Sequence, residues 1–335
     1  MFDAAFGNAG GQGGVGALGY ADDETLAYAM KKLSPKGRDA YAAVTPKDRM
    51  SAALPAARWG TWATVYGGNS RVSGDAGAGT NTTRSNVWGV VGGADYRFSP
   101  DTRVGFAVGG GSTNYGIDNG FGGGKSDMFQ FGVYGRHTWG ASYIAGALSY
   151  AWQDNTSDRV VTIAGTDNLH AAFKSNAFSG RIETGWRYAT PVVGITPYSA
   201  LQSTTFFLPS YGEVATSGSN QFALNYASHS VTATRGELGF RWDKALVVQD
   251  GMFTLMARTA WAHDWNTDRN ATATFQALGT AFTVNGAAPA ANAALVSLGG
   301  VWKCANGWAV LASYEGEYSR TTMSNGGKGT LRYQW

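Results

Sequence analysis

The sequence predicts an all-β transmembrane fold, a twelve-stranded antiparallel up-and-down barrel in an outer membrane, preceded by a helical segment. Three observations predict it. The 335 residues include 48 Gly, 12 Trp, 16 Tyr and 16 Phe, yet only 15% are charged, where soluble chains carry about 25%. Mean hydropathy is −0.20 and no apolar run reaches the ~18 residues of a membrane helix. A barrel hides its apolar surface because only alternate residues meet lipid. Finally, from Arg58 onward, alternating segments are joined by connections that are short and long in turn, the pattern of a membrane barrel.

The elements follow in order. Residues 1–20, "MFDAAFGNAGGQGGVGALGY", are Gly-rich and show neither a basic leader nor an apolar core of a signal peptide. Within 21–55, "ADDETLAYAMKKL" opens acidic and closes on Lys31 and Lys32, the order a helix dipole favours. Leu26, Met30 and Leu33 share one face of that helix. From there the residues read as strands over about 58–72, 84–98, 102–115, 126–139, 142–156, 172–189, 195–208, 228–243, 252–266, 292–304, 308–321 and 326–335. Connections at 99–101, 140–141, 190–194, 245–251 and 305–307 are short. Those at 73–83, 116–125, 157–171, 209–227 and 267–291 are long, and 322–325 is the shortest on that side. Both barrel ends then lie on the short-turn side, the periplasm. The loop 267–291 has the β-branched and aromatic content of an extra extracellular hairpin.

Parity assigns the faces. Trp88, Val90, Ala94, Tyr96 and Phe98 oppose Asp95 and Arg97; Phe178, Ile182, Trp186 and Tyr188 oppose Arg181, Glu183 and Arg187. Leu238, Phe240 and Trp242 oppose Arg235, Glu237, Arg241 and Asp243; Trp308, Val310, Tyr314 and Tyr318 oppose Glu315 and Glu317. One face suits lipid, and Lys or Arg there would cost roughly 2–4 kcal/mol at the midplane. The other is a charged lumen wall, to which Arg258 is also assigned. At the C-terminus Gly329, Leu331, Tyr333 and Trp335 alternate with polar residues up to the last position. That strand must pair with the first, because hydrocarbon tolerates no open sheet edge.

At this point the sequence resembles a family, the translocator (β-barrel) domain of type V secretion autotransporters, over about 20–335. The phrases that carry it are "GYADDE", "GVVGGADYRFSPDTRVGFAVGGGSTNY", "SDMFQFGVYGRHTWGASYIAGALSYAWQD", "GITPYSALQSTTFFLP", "TRGELGFRWDK", "ARTAWAHDWN", "ASYEGEYS" and "GKGTLRYQW". The resemblance implies 1–20 as passenger remnant or linker, 21–55 as a linker α-helix in the lumen, and 56–335 as the outer-membrane translocator barrel. It implies export or display of an N-terminal passenger on the cell surface, with the barrel termini periplasmic. Partners would be outer-membrane lipid, the β-barrel assembly machinery and the chain's own passenger. Gly329, Leu331, Tyr333 and Trp335 match the assembly signal, with Trp in place of the commoner Phe. The lumen helix would present Leu26, Met30, Lys31 and Lys32 to a wall of Arg181, Glu183, Arg187, Arg235, Glu237, Arg241, Arg258, Glu315 and Glu317. A helix outside the barrel on the periplasmic side is the alternative placement.

Other classes fare worse. One cysteine, Cys304, leaves no internal disulfide and no cysteine zinc site. A net charge of +3 is too small to point to nucleic acid. His229-Ser230 and His263-Asp264 put their side chains on opposite faces, and G-x-S-x-G and H-E-x-x-H are missing. "GFGGGK" at 120–125 reads as a surface loop. Some autotransporters cleave their passenger inside the lumen at a helix Asn, but 21–55 contains no Asn, so no such self-cleavage is expected. The expectation is no catalytic, cofactor or metal residue. The competing reading is a passive porin-like channel, or a surface adhesin acting through its loops.

Overall fold

The computed structural model describes residues 58–248 and 251–335. The segments 1–20 and 21–55, with Leu26, Met30, Lys31 and Lys32, lie outside the described residues. Twelve long strands follow one another around a single closed barrel. They are β1 (Trp59–Val72), β2 (Thr83–Ser99), β3 (Thr102–Ile117), β4 (Gly122–Trp139), β5 (Ser142–Val161) and β6 (Asp167–Trp186) in the first half. The second half holds β7 (Gly194–Leu208), β8 (His229–Val248), β9 (Gly251–Asp264), β10 (Asn292–Cys304), β11 (Trp308–Tyr318) and β12 (Thr322–Gln334). Each pairs antiparallel with its sequence neighbours, and β1 closes on β12 from Gly60 opposite Gln334 to Val72 opposite Thr322. At the seam the Trp59 and Trp335 backbones exchange two hydrogen bonds of 3.2 and 3.1 Å. No edge is left for hydrocarbon to meet.

Alternation decides the faces. Trp88, Val90, Phe129, Phe131, Trp152, Phe178, Leu238, Trp302, Val310 and Leu331 are exposed on the outside, although each is large and apolar. Trp62, Thr64, Tyr66, Arg181, Glu183, Glu237 and Arg332 are buried on the inside. That inversion of the soluble pattern is what lipid demands. Glycine has a packing role here. A methyl on Gly93 would stand 2.6 Å from the Trp62 ring, and one on Gly185 would stand 2.7 Å from the Tyr143 ring. Large inward rings therefore lie flat across neighbouring strands because those positions have no side chain. The short turns use glycine differently: Gly140 in the two-residue β4–β5 turn has φ +55°, and Gly307 before β11 has φ +90°, conformations that L side chains avoid.

The strands run further toward the long-loop end than their composition predicts. Residues 122–125, 157–161 and 167–171 read as loops from their Gly, Asp and Ser content, yet Gly122 pairs with Arg159 and Val161 with Asp167. The ladder uses backbone groups, which such residues supply as well as any. The last connection also differs from expectation. The turn is 319–321, not 322–325, and Ser319 Oγ accepts from the Thr322 N–H at 2.8 Å. Asn325, Gly326 and Gly327 are paired on both sides with β1 and β11.

Two long loops build a second, four-stranded sheet in the order Ala281–Asn285, Asn270–Phe275, Leu224–Tyr226, Tyr211–Gly212. The hairpin in 267–291 is its outer half. Val214–Ser217 pairs instead with the start of β6. Beyond that ladder, two side-chain contacts fasten the cap to the barrel. Glu213, 3% exposed, accepts from Arg159 of β5 at 2.9 and 2.5 Å and from the Leu224 N–H at 3.0 Å. Phe173 of β6 stacks on Tyr211 at 4.0 Å, and Tyr211 on Tyr226 at 4.6 Å. Burial pushes the Tyr211 hydroxyl up to about 12 and raises that of Tyr226 as well.

Candidate functional site

The inner wall is the site. Inward positions on β5–β9 carry an interlocked cluster. Arg181 donates to Glu237 at 3.0 and 3.1 Å and to Glu183 at 3.0 Å. Arg258 donates to Glu237 at 2.8 Å and to the Tyr198 hydroxyl at 2.7 Å. Arg241 bonds both oxygens of Glu183, with one bond at 2.8 Å, and lies over the Tyr198 ring at 4.1 Å. Tyr143 donates to Glu183 at 2.8 Å, while Arg136 covers its ring at 4.1 Å. Three guanidiniums and two carboxylates thus compensate one another where Glu237 and Arg181 side chains have no solvent exposure. Isolated charges there would cost several kcal/mol each, and mutual pairing offsets that cost.

The remaining expected wall residues pair at other levels. Arg187 donates to Asp243 at 2.7 Å. Arg235 forks between Asp264, at 2.8 and 2.6 Å, and Glu317, at 3.0 and 2.8 Å, tying β8, β9 and β11 together. Glu315 accepts from Lys328 of β12. Near the seam, Arg332 of β12 reaches across β1 to Asp95 of β2 at 2.6 and 2.8 Å. A methyl on the intervening Gly60 would stand 2.8 Å from the Arg332 guanidinium. Trp62 donates to the Tyr134 hydroxyl at 2.8 Å beside that pair.

Sequence reasoning missed Tyr143, Tyr198, Lys328 and Arg332 as members of the wall. Parity held the signal, since Arg332 and Lys328 alternate with Leu331 and Gly329. Tyr143 and Tyr198 carry no charge to mark them as wall residues. The four residues of the terminal pattern sit on the outer face: Leu331 and Trp335 are exposed, and Tyr333 lies 4.8 Å from Trp308 and 5.6 Å from Trp335, centroid to centroid. Gly329 faces Val65 and Ala312 across the two ladders.

The adjacent pairs considered for catalysis diverge. Asp264 is engaged by Arg235, while His263 meets Asn292 at 3.0 Å. Among the described residues His229 meets the Ala227 carbonyl at 3.4 Å. Among the described residues no cluster of three or more His, Cys, Asp or Glu could hold a metal.

A closed twelve-stranded wall of this kind has known relatives. The model of the autotransporter β-domain matches residues 61–315. The chain belongs to the autotransporter β-domain family. Its fold is similar to the translocator domain of the autotransporter NalP from Neisseria meningitidis, at 18% identity and TM-score 0.68, covering 93% of this chain and 98% of that one. It is also similar to the β-domain of the Bordetella autotransporter BrkA, at 17% identity and TM-score 0.63, covering 83% of this chain and 100% of that one. At these identities the likeness concerns the fold. An extracellular serine protease of Serratia marcescens is 26% identical over 271 residues, 79% of this chain and 25% of the protease. A second extracellular serine protease of the same organism is 25% identical over 245 residues. The autotransporter β-domain chain thus spans about a quarter of the length of the curated relatives it matches. It is an outer-membrane translocator barrel.

Proposed function

We propose that this translocator exports a passenger joined to its own N-terminus and holds the 21–55 segment as a helix inside the lumen. The observation that carries the reading is the entry to β1. Trp59 pairs with Trp335 at the short-turn end, so the chain enters β1 at the periplasmic mouth of a barrel whose inner wall is charged. A helix held there would keep the charges of Lys31, Lys32, Lys36 and Arg38 out of lipid. The domain division 1–20, 21–55 and 56–335 belongs to this reading. So does recognition of Gly329, Leu331, Tyr333 and Trp335 by the β-barrel assembly machinery, which the outward run of the last strand supports. We assign the barrel no catalytic step, and a protease activity such as the relatives' names carry would reside in the passenger.

The test uses whole cells producing the chain behind a signal peptide, with an epitope at residue 1 and protease added outside. Loss of the epitope with periplasmic markers intact is the expected result. A protected epitope on an inserted barrel overturns the reading in favour of a porin-like channel.

A further inference from the structure

The outer face of β1–β4 changes character just beyond the apolar belt. Val65, Val90 and Phe129 are exposed and apolar, and Trp88, 60% exposed, marks the interfacial level that aromatic residues occupy. Two residues further along, about 6–7 Å, Asn69, Asn86, Asn114 and Lys125 stand opposite one another on four consecutive strands. Asn is depleted from strands because it gains little there, so an exposed row of three in register needs a reason. Two residues beyond, Arg71 of β1 stands directly opposite Arg84 of β2. Like charges directly opposite weaken a sheet.

The local carboxylates do not resolve this. Arg84 is held by Asp118 at 2.9 and 3.3 Å, and that bond lowers the Asp118 carboxyl below its ordinary range. Lys125 pairs with Asp127 at 2.7 Å. Among the described residues Arg71 has no hydrogen bond or ion pair of its own, and its charge adds to that of Arg84 in lowering Asp118. Beside Arg84 on the next strand is Gly116, where a methyl would meet nothing within 4 Å. The face therefore presents two guanidiniums that share one carboxylate, Asp118, with an unfilled notch and a row of amides, all at head-group height on the long-loop side.

We infer that the outer face of β1–β3 binds the head group of a phosphorylated glycolipid in the outer leaflet, with Arg71 and Arg84 on phosphate and Asn69, Asn86 and Asn114 on sugar hydroxyls. Guanidinium–phosphate bonds are charge-assisted and strong, and the acyl chains would lie along Val65, Trp88 and Val90. The lipid bilayer is the source to which this geometry commits, because the residues just below are greasy.

The test is thermal unfolding of the full chain in neutral detergent with four additives: lipid A, its dephosphorylated form, phosphatidylglycerol and inorganic phosphate. The double variant R71Q/R84Q and the amide variant N86A/N114A are run beside it. Lipid A should raise the midpoint most, with affinity falling about tenfold in R71Q/R84Q, equivalent to about 1.4 kcal/mol. The amide variant should bring the lipid A effect down to that of phosphatidylglycerol. Equal gain from the dephosphorylated lipid, or an unchanged response in R71Q/R84Q, overturns the phosphate site. Equal gain from phosphatidylglycerol in the parent chain overturns the sugar contacts, and protection by inorganic phosphate alone overturns the lipid source.

Discussion

Glu237 accepts from two guanidiniums and a phenol with a side chain closed to solvent. Removing one partner from such a cluster leaves uncompensated buried charge, which typically costs 3–5 kcal/mol. Glu237→Ala should lower barrel stability by about that amount, read as the urea midpoint in lipid vesicles. Lys174→Ala is the matched control, since its 3.7 Å pair with Asp154 is exposed on both sides and exposed pairs contribute about 0–1 kcal/mol. Equal effects from the two would mean the wall cluster is solvated and contributes nothing special. The Arg332–Asp95 pair makes a sharper case, because it spans the closing seam above Gly60. Asp95→Ala should make the barrel lose its compact, heat-modifiable migration at lower temperature than the parent. Gly60→Ala should do the same more weakly, by pushing the guanidinium aside. If Gly60→Ala is neutral while Asp95→Ala is not, the pair tolerates displacement and the glycine is there for another reason.

Among the elements, the cap separates from the barrel in how it is held. The barrel strands are joined by long continuous ladders, whereas the cap rests on the short Val214–Ser217 ladder to β6, the Glu213 carboxylate and a three-ring stack. Glu213→Ala should therefore open residues 209–227 to external protease while the barrel keeps its resistance to detergent. Alkaline titration gives a second handle. Burial raises the Tyr211 hydroxyl from 10.0 to about 12. A raised phenol contributes stability that is complete below about pH 10 and is lost as pH climbs through about 12. Tyrosinate absorbance should show Tyr211 and Tyr226 titrating after the exposed tyrosines, with cap proteolysis rising in the same window; a single transition near pH 10 would mean the stack is open. The cap is also where the sequence was least legible. Alternation located all twelve barrel strands, because a lipid-facing parity leaves an unmistakable trace in Trp88, Phe178 or Leu238. Cap strands such as Leu224–Tyr226 are three residues long, too short for any period to register. Residues 122–125 and 322–325 misled for a different reason: Gly and small polar residues signal a turn by composition, but here they stand in continuous ladders, with Gly124 leaving room for the Tyr115 ring. The wall chemistry was half visible, since parity gave Arg181, Glu183 and Glu237, but which strand's arginine meets which glutamate depends on register.

At the scale of the whole molecule, strand number and wall chemistry combine into one expectation about conductance. Twelve strands place the barrel between the eight-stranded case filled by side chains and the sixteen-stranded open pore. A single helix about 10–12 Å across would occupy most of that interior, so the intact chain in a planar bilayer should conduct little. Deleting residues 1–50 should then raise single-channel conductance several-fold while the barrel stays detergent-resistant. The wall cluster further biases selectivity: among the described residues Arg136, Arg181, Arg241 and Arg258 gather around the carboxylates of Glu183 and Glu237. The unblocked pore should therefore favour anions, seen as a reversal potential in a salt gradient, and Arg258→Gln should reduce that preference. An intact chain that conducts as well as the deletion variant would put the N-terminal segment outside the lumen. The charged wall would then line a passive channel, its arginines and carboxylates paired with one another rather than with a helix.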